Sequence, residues 1–156
     1  MPAFQFTVNE VVRNVDVRTP DEPLLYVLRN KLGLTGPRFG CGLCQCGSCA
    51  VLLDDQVVRT CQVPVASVAG RKVTTIEGLG STEKPHPVQA AFIAEQAAQC
   101  GYCANGMVLS AVALLRQHPN ASIAQAKEAL ASNLCRCGTH QRILRAVMRA
   151  AGRAVA

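Results

Sequence analysis

With 156 residues, 49% of them hydrophobic, and a formal net charge of +6, the chain can build one ordinary domain or two small ones. That hydrophobic share excludes disorder, and the lack of any run near ~18 uninterrupted apolar residues excludes a membrane span. Nine cysteines fall into two tight groups far apart in the chain, which opens without an apolar export signal; such grouping points to metal ligation rather than a disulfide framework.

Phe4 to Val8 alternates apolar and polar, Asn9-Glu10 can turn, and Val11 to Val17 alternates again, which predicts a hairpin. Thr19-Pro20-Asp21 should open a helix striped by Leu24, Leu25, Val27, Leu28 and Leu32 and closed by Gly33. After a glycine-rich segment, Gly36 to Gly47, a second hairpin is expected from Ala50 to Leu53 and Gln56 to Arg59 around Asp54-Asp55. Lys72 to Ile76 is a further strand. Strands on one crossing helix make a small α+β domain, residues 1–78. Residues 79–86, rich in Gly, Ser, Thr and Pro, suit a linker. An all-α domain of four short helices follows over 87–156. Pro87 starts the first, and VQAAFIAEQAAQ continues it. Gly106 to His118 is the second, stopping at Pro119. A Ser122/Gln125 capping box opens the third, which runs to about Ser132, and His140 to Ala151 is the fourth.

Cys41, Cys46, Cys49 and Cys61 read as C-x4-C-x2-C-x11-C, the plant-type ferredoxin arrangement. Three thiolates from one loop require the backbone to curl round a cluster, and Gly36, Gly40, Gly42 and Gly47 give it that freedom. Exposed amides in such a loop can donate to the sulfurs. Structural zinc, the alternative, favours two C-x2-C-like pairs. Cys44 is the extra cysteine, expected to pack as a buried spectator, with a redox or ligand-swap role as the second reading. Cys100, Cys103, Cys135 and Cys137 read as C-x2-C-x31-C-x-C, each pair in a turn between helices. Their spacing leaves iron–sulfur and zinc both open. A neighbouring cluster that needs an electron partner favours iron.

The runs FGCGLCQCGSC, TTIEGL, HPVQAAF, AQCGYC and NLCRCGTHQRI, with Cys61, closely resemble the small iron–sulfur subunit of the molybdenum hydroxylases, the xanthine dehydrogenase and aldehyde oxidoreductase family. The likeness spans nearly the whole chain. It implies an N-terminal β-grasp, plant-type ferredoxin-like domain followed by a C-terminal four-helix domain. It also implies two [2Fe–2S] clusters: an outer one on Cys41, Cys46, Cys49 and Cys61, and an inner one on Cys100, Cys103, Cys135 and Cys137. The inner cluster would lie near the cofactor of a large molybdopterin-binding subunit, with Gln99 and Cys137 at positions that approach the pterin. EQAAQCGYCANGM and CGTHQRI look most like the branch of nicotinate dehydrogenase and isoquinoline oxidoreductase. Two departures stand out: Cys103-Ala104-Asn105-Gly106 where many relatives read CTPG, and Cys44 where they have a small residue.

The function implied is electron relay, with no catalytic residue on this chain. The partner would hydroxylate an N-heteroaromatic such as nicotinate, or an aldehyde in second place, and a c-type cytochrome or an FAD subunit would accept the electrons. A stand-alone ferredoxin or a zinc-stabilised adaptor is the competing class. The expected location is the cytoplasm, or the membrane or periplasm through a partner. Arg142, Arg145, Arg149 and Arg153 share one helix face, read first as solvated and second as a dock for an acidic partner. Nucleic acid is not expected, since no stacking aromatics interleave with the basic residues. Arg136 and Arg142 should favour the reduced inner cluster. His86, His118 and His140 read as surface or capping residues, and Tyr102 as packing.

Overall fold

The computed structural model describes residues 1–153, so the last three residues of the expected helical domain lie outside it. Strands β1 (Ala3–Val8) and β2 (Val11–Asp16) pair antiparallel across a turn whose two residues, Asn9 and Glu10, have φ of 49° and 66°. Positive φ at both positions gives the twist that a two-residue hairpin needs. Strands β3 (Ala50–Leu53) and β4 (Gln56–Arg59) repeat the device at Asp54 and Asp55, with φ of 49° and 67°. Strand β5 (Lys72–Thr74) lies parallel to β1 and antiparallel to β3, giving the order β2-β1-β5-β3-β4. It stops before the expected Ile76 because Asn9 takes over at Thr75. The Asn9 side chain accepts from the Thr75 N–H at 2.9 Å and donates to its hydroxyl at 2.9 Å, and a 3₁₀ turn, Ile76–Gly78, follows.

The first helix starts later than Asp21. Helix α1 (Leu24–Tyr26) widens into a π-helical segment, Val27–Lys31. Pro23 lacks an N–H, and the Leu24 N–H goes to the Val63 carbonyl at 2.8 Å, so the register is set by a tertiary partner. Leu24, Val27 and Leu28 join Phe6, Val8 and Val73 in one core, while Leu25 turns aside to pack on Cys49 and Cys61.

Four helices follow: α2 (Pro87–Ala94), α3 (Ala104–Gln117), α4 (Ile123–Leu130) and α5 (His140–Ala150). His86 caps α2: its Nδ1 accepts from the Val88 N–H at 3.2 Å, and Gln89 reaches back to the His86 N–H at 2.9 Å. Helix α2 is shorter than expected because Gln96 turns left-handed, at φ 48°, just beyond it. Helix α3 is central, buried from Asn105 to Ala113.

Strand β3 joins the two halves. Alternate residues of a strand point to opposite faces, and here both faces are covered. Val51 and Leu53 enter the core under α1, while Ala50 and Leu52 enter the core built from Met107, Leu109, Ile143 and Val147. The basic face of α5 is largely turned to stapling. Arg145 and Arg149 pair with Glu95 at 3.6 and 3.0 Å, and Arg142 donates to the Gln96 carbonyl at 3.5 Å. Such exposed pairs add little stability, but they join α5 to the end of α2.

Candidate metal centres

The loop from Gly36 to Cys49 is held from outside. Arg29 donates to the Thr35 and Pro37 carbonyls at 3.0 and 2.7 Å, Glu77 accepts from the Gly36 N–H at 2.6 Å, and Gln62 donates to the Gly42 carbonyl at 2.6 Å. So fixed, the loop aims its amides inward. The Cys41 sulfur receives the N–H groups of Leu43, Gln45 and Cys46 at 3.3, 3.3 and 3.4 Å. These donors, Leu43 first, bring the Cys41 thiol down to about 7. In return the Cys41 N–H points at the Cys46 sulfur at 3.4 Å. Gly40 is required here, because a Cβ on it would stand 2.6 Å from that sulfur. Cys49 and Cys61 are both buried. Burial, reinforced by the Cys61 sulfur beside it, pushes the Cys49 thiol up to about 11.

The second group sits where the loop before α3 meets the loop before α5. Cys103 is half-buried, and burial together with the adjacent Cys135 sulfur pushes its thiol up to about 12. Burial raises Cys135 too. The Thr139 hydroxyl, 3.4 Å from its sulfur, and the Thr139 amide outweigh that and bring Cys135 to about 7. Cys100 and Cys137 are exposed side by side. The Tyr102 amide and then Cys137 lower Cys100. At Cys137 the Cys100 amide favours the thiolate, yet the Cys100 sulfur, some loss of hydration and the Cys135 sulfur carry the net shift upward.

Eight thiols stand as neighbouring pairs, Cys41 with Cys46, Cys49 with Cys61, Cys100 with Cys137, and Cys103 with Cys135, and Cys44 also stands beside Cys61. A structural zinc ion wants four ligands round one point. Among the described residues no three His, Cys, Asp or Glu side chains close on a single ion. A two-iron centre asks instead for two thiolates at each iron. Paired thiols, with N–H donors aimed at Cys41 and Cys46, fit that demand. A cavity of about 340 Å³ is lined from one side by Gly40, Cys41 and Cys46, and from the other by Cys100, Cys103 and Cys135. Cysteines of both groups thus line one cavity, with Arg136 also on its wall. Arg142 instead lines a separate groove with Phe92 and Ile93. Gln99 is exposed beside Cys100, on the edge that carries Cys137.

Cys44 is exposed, against the expectation of a buried spectator. Its backbone is left-handed at φ 59°, and its thiol donates to the Arg59 carbonyl at 3.8 Å and stands beside the Cys61 sulfur. A left-handed position favours glycine, so a cysteine here is held against its backbone preference. Sequence reading missed several supporting residues. Thr139 begins α5 but makes no capping bond, since its hydroxyl serves Cys135. Asn105 donates to the Ser48 and Ala50 carbonyls, at 2.9 Å each, on either side of Cys49. Its one sequence signal was the departure from CTPG.

Known proteins share these features. Residues 6–70 match the family described as 2Fe-2S iron-sulfur cluster binding domain, and residues 75–148 match the [2Fe-2S] binding domain family. The chain is 60% identical over 132 residues to a nicotinate dehydrogenase subunit of Pseudomonas putida, covering 85% of this chain and 84% of that protein. It is 48% identical to the alpha subunit of isoquinoline 1-oxidoreductase of Brevundimonas diminuta, covering 95% of this chain and 97% of the other. The structure superposes on the aldehyde oxidoreductase of Desulfovibrio desulfuricans with a TM-score of 0.93 at 40% identity, over 97% of this chain but only 17% of that longer one.

Proposed function

The chain belongs to the small [2Fe–2S] subunits of the molybdenum hydroxylases, and on that premise we propose that its two cysteine groups hold the two centres, one each. It is the electron-transfer subunit of an oxidoreductase whose molybdopterin sits on a large partner subunit. Cys41, Cys46, Cys49 and Cys61, in the segment 1–78, hold the outer centre. Cys100, Cys103, Cys135 and Cys137, in the segment 87–156, hold the inner one. The observation that carries this reading is the pairing of thiols on both sides of one cavity.

Each [2Fe–2S] centre, when bound, takes up and gives back one electron at a time. This chain's residues set where that charge is welcome. The Leu43, Gln45 and Cys46 amides stabilise negative charge at the Cys41 sulfur, and Thr139 does so at Cys135. From Pro23 to Leu53 there is no carboxylate, while Arg29, Lys31 and Arg38 lie in that stretch. Two carboxylates reach that stretch from outside it, Glu77 at the Gly36 N–H and Glu22 at Lys31, so it is the donors at the sulfurs that favour an added electron. Gln99 and Cys137, at the exposed edge, are proposed to meet the pterin of the large subunit. The proposed substrate is an N-heteroaromatic such as nicotinate, by likeness to relatives with such names. A c-type cytochrome or an FAD subunit is the proposed acceptor. Among the described residues no helix is long and apolar enough to cross a membrane.

The test is elemental analysis of the chain purified with its co-eluting partner. Two centres of two irons require about four irons and four acid-labile sulfides per chain, with molybdenum in the partner. Zinc in place of iron would favour the adaptor class, and iron without a molybdenum partner a stand-alone ferredoxin.

A further inference from the structure

The two cysteine groups are clasped together by a pair of residues to which neither family likeness nor cysteine spacing assigns a role. Arg38 and Phe39 directly precede Gly40 and Cys41, and Gly101 and Tyr102 lie between Cys100 and Cys103. The Arg38 guanidinium donates to the Gly101 carbonyl and stands 5.3 Å from the centre of the Tyr102 ring. The Tyr102 hydroxyl donates in turn to the Phe39 carbonyl. Each loop thus grips the other through one side chain and one carbonyl.

Both grips reach the sulfurs in one step. Tyr102 lies between Cys100 and Cys103, so whatever fixes its side chain fixes the backbone that carries both sulfurs. On the other loop the Arg38 N–H bonds the Ser48 carbonyl at 3.0 Å, and Phe39 stacks on Tyr26 with ring centres 6.4 Å apart. The anchor therefore rests on the first half of the chain, through Ser48 and Tyr26 of α1. Cysteine spacing alone leaves the Cys100–Cys103 loop free to shift, because Gly101 sits at a left-handed φ of 75° that a glycine tolerates but does not enforce. A planar guanidinium on an aromatic face, with a hydrogen bond at its edge, supplies direction that a point charge does not.

We propose that Arg38 and Tyr102 are positioning residues that hold the Cys100–Cys103 loop against the Gly40–Cys41 segment, and so fix how strongly the two centres sense each other. The inference rests on the reading of the cysteines as ligands of two clusters. It adds that a residue of the first half governs the geometry of the second.

The experiment uses the purified complex, fully reduced, with electron paramagnetic resonance at low temperature. Two nearby reduced centres split each other's signals, and dipolar splitting falls steeply with separation. Tyr102→Phe and Arg38→Gln should keep full iron content yet weaken or lose the splitting, and Arg38→Lys should restore only part of it. Arg38→Gln should also lower the midpoint potential of at least one centre, whereas Tyr102→Phe, which removes no charge, should change the splitting more than the potentials. Wild-type splitting in Tyr102→Phe with iron retained would overturn the proposal. That single-hydroxyl variant decides the matter even if Arg38→Gln loses iron. A wild-type complex lacking two paramagnetic centres would instead overturn the cluster reading beneath it.

Discussion

At Cys41 and Cys103 the same side chain meets opposite surroundings. Three loop amides surround the first and bring it to about 7, whereas burial and a neighbouring sulfur push the second up to about 12. At pH 7 about half of Cys41 is thiolate, against about one part in 10⁵ of Cys103. Lower intrinsic nucleophilicity returns part of that difference, which leaves an advantage on the order of hundreds-fold. In the chain produced without iron and kept under native conditions, iodoacetamide should therefore modify Cys41 well before Cys103, as read by peptide mass. The sign with pH follows. Cys41 labelling should climb about tenfold from pH 6 to 8 and then level off, while Cys103 labelling keeps rising about tenfold per unit. Equal rates at the two sites would contradict the reading of the loop amides. Which cysteines to watch was legible in the spacing. Their contrasting environments were not, because amide directions and burial belong to folded loops.

At the scale of elements, the hairpins, the second capping box and the four helices could be read from alternation, turn residues and caps, since those signals are local. Errors arose where a distant group took a local bond. Val63 accepts the Leu24 N–H and delays α1, and Asn9 occupies Thr75 and shortens β5. Strand β3 looked like one arm of a hairpin, yet its two buried faces carry both cores. Asn105, at the start of α3, ties that helix to both carbonyls beside Cys49. Asn105→Ala would leave two buried acceptors short of a donor. It should destabilise the loaded chain by about 2–3 kcal/mol, seen as a lower midpoint in urea. An unchanged midpoint would mean that this tie is not what joins α3 to the sheet.

For the molecule as a whole, the two halves are not beads on a linker. They share β3, and cysteines of both groups line one cavity. The backbone continues that contact, since the Leu134 N–H, one residue before Cys135, bonds the Cys46 carbonyl at 2.9 Å. Stepwise reduction of the purified complex, with spins counted by paramagnetic resonance, tests this most directly. Two distinct signals should appear, integrating to about two spins per chain at full reduction, one for each [2Fe–2S] centre. A single signal integrating to one spin, or a colourless chain that yields none, would contradict the account.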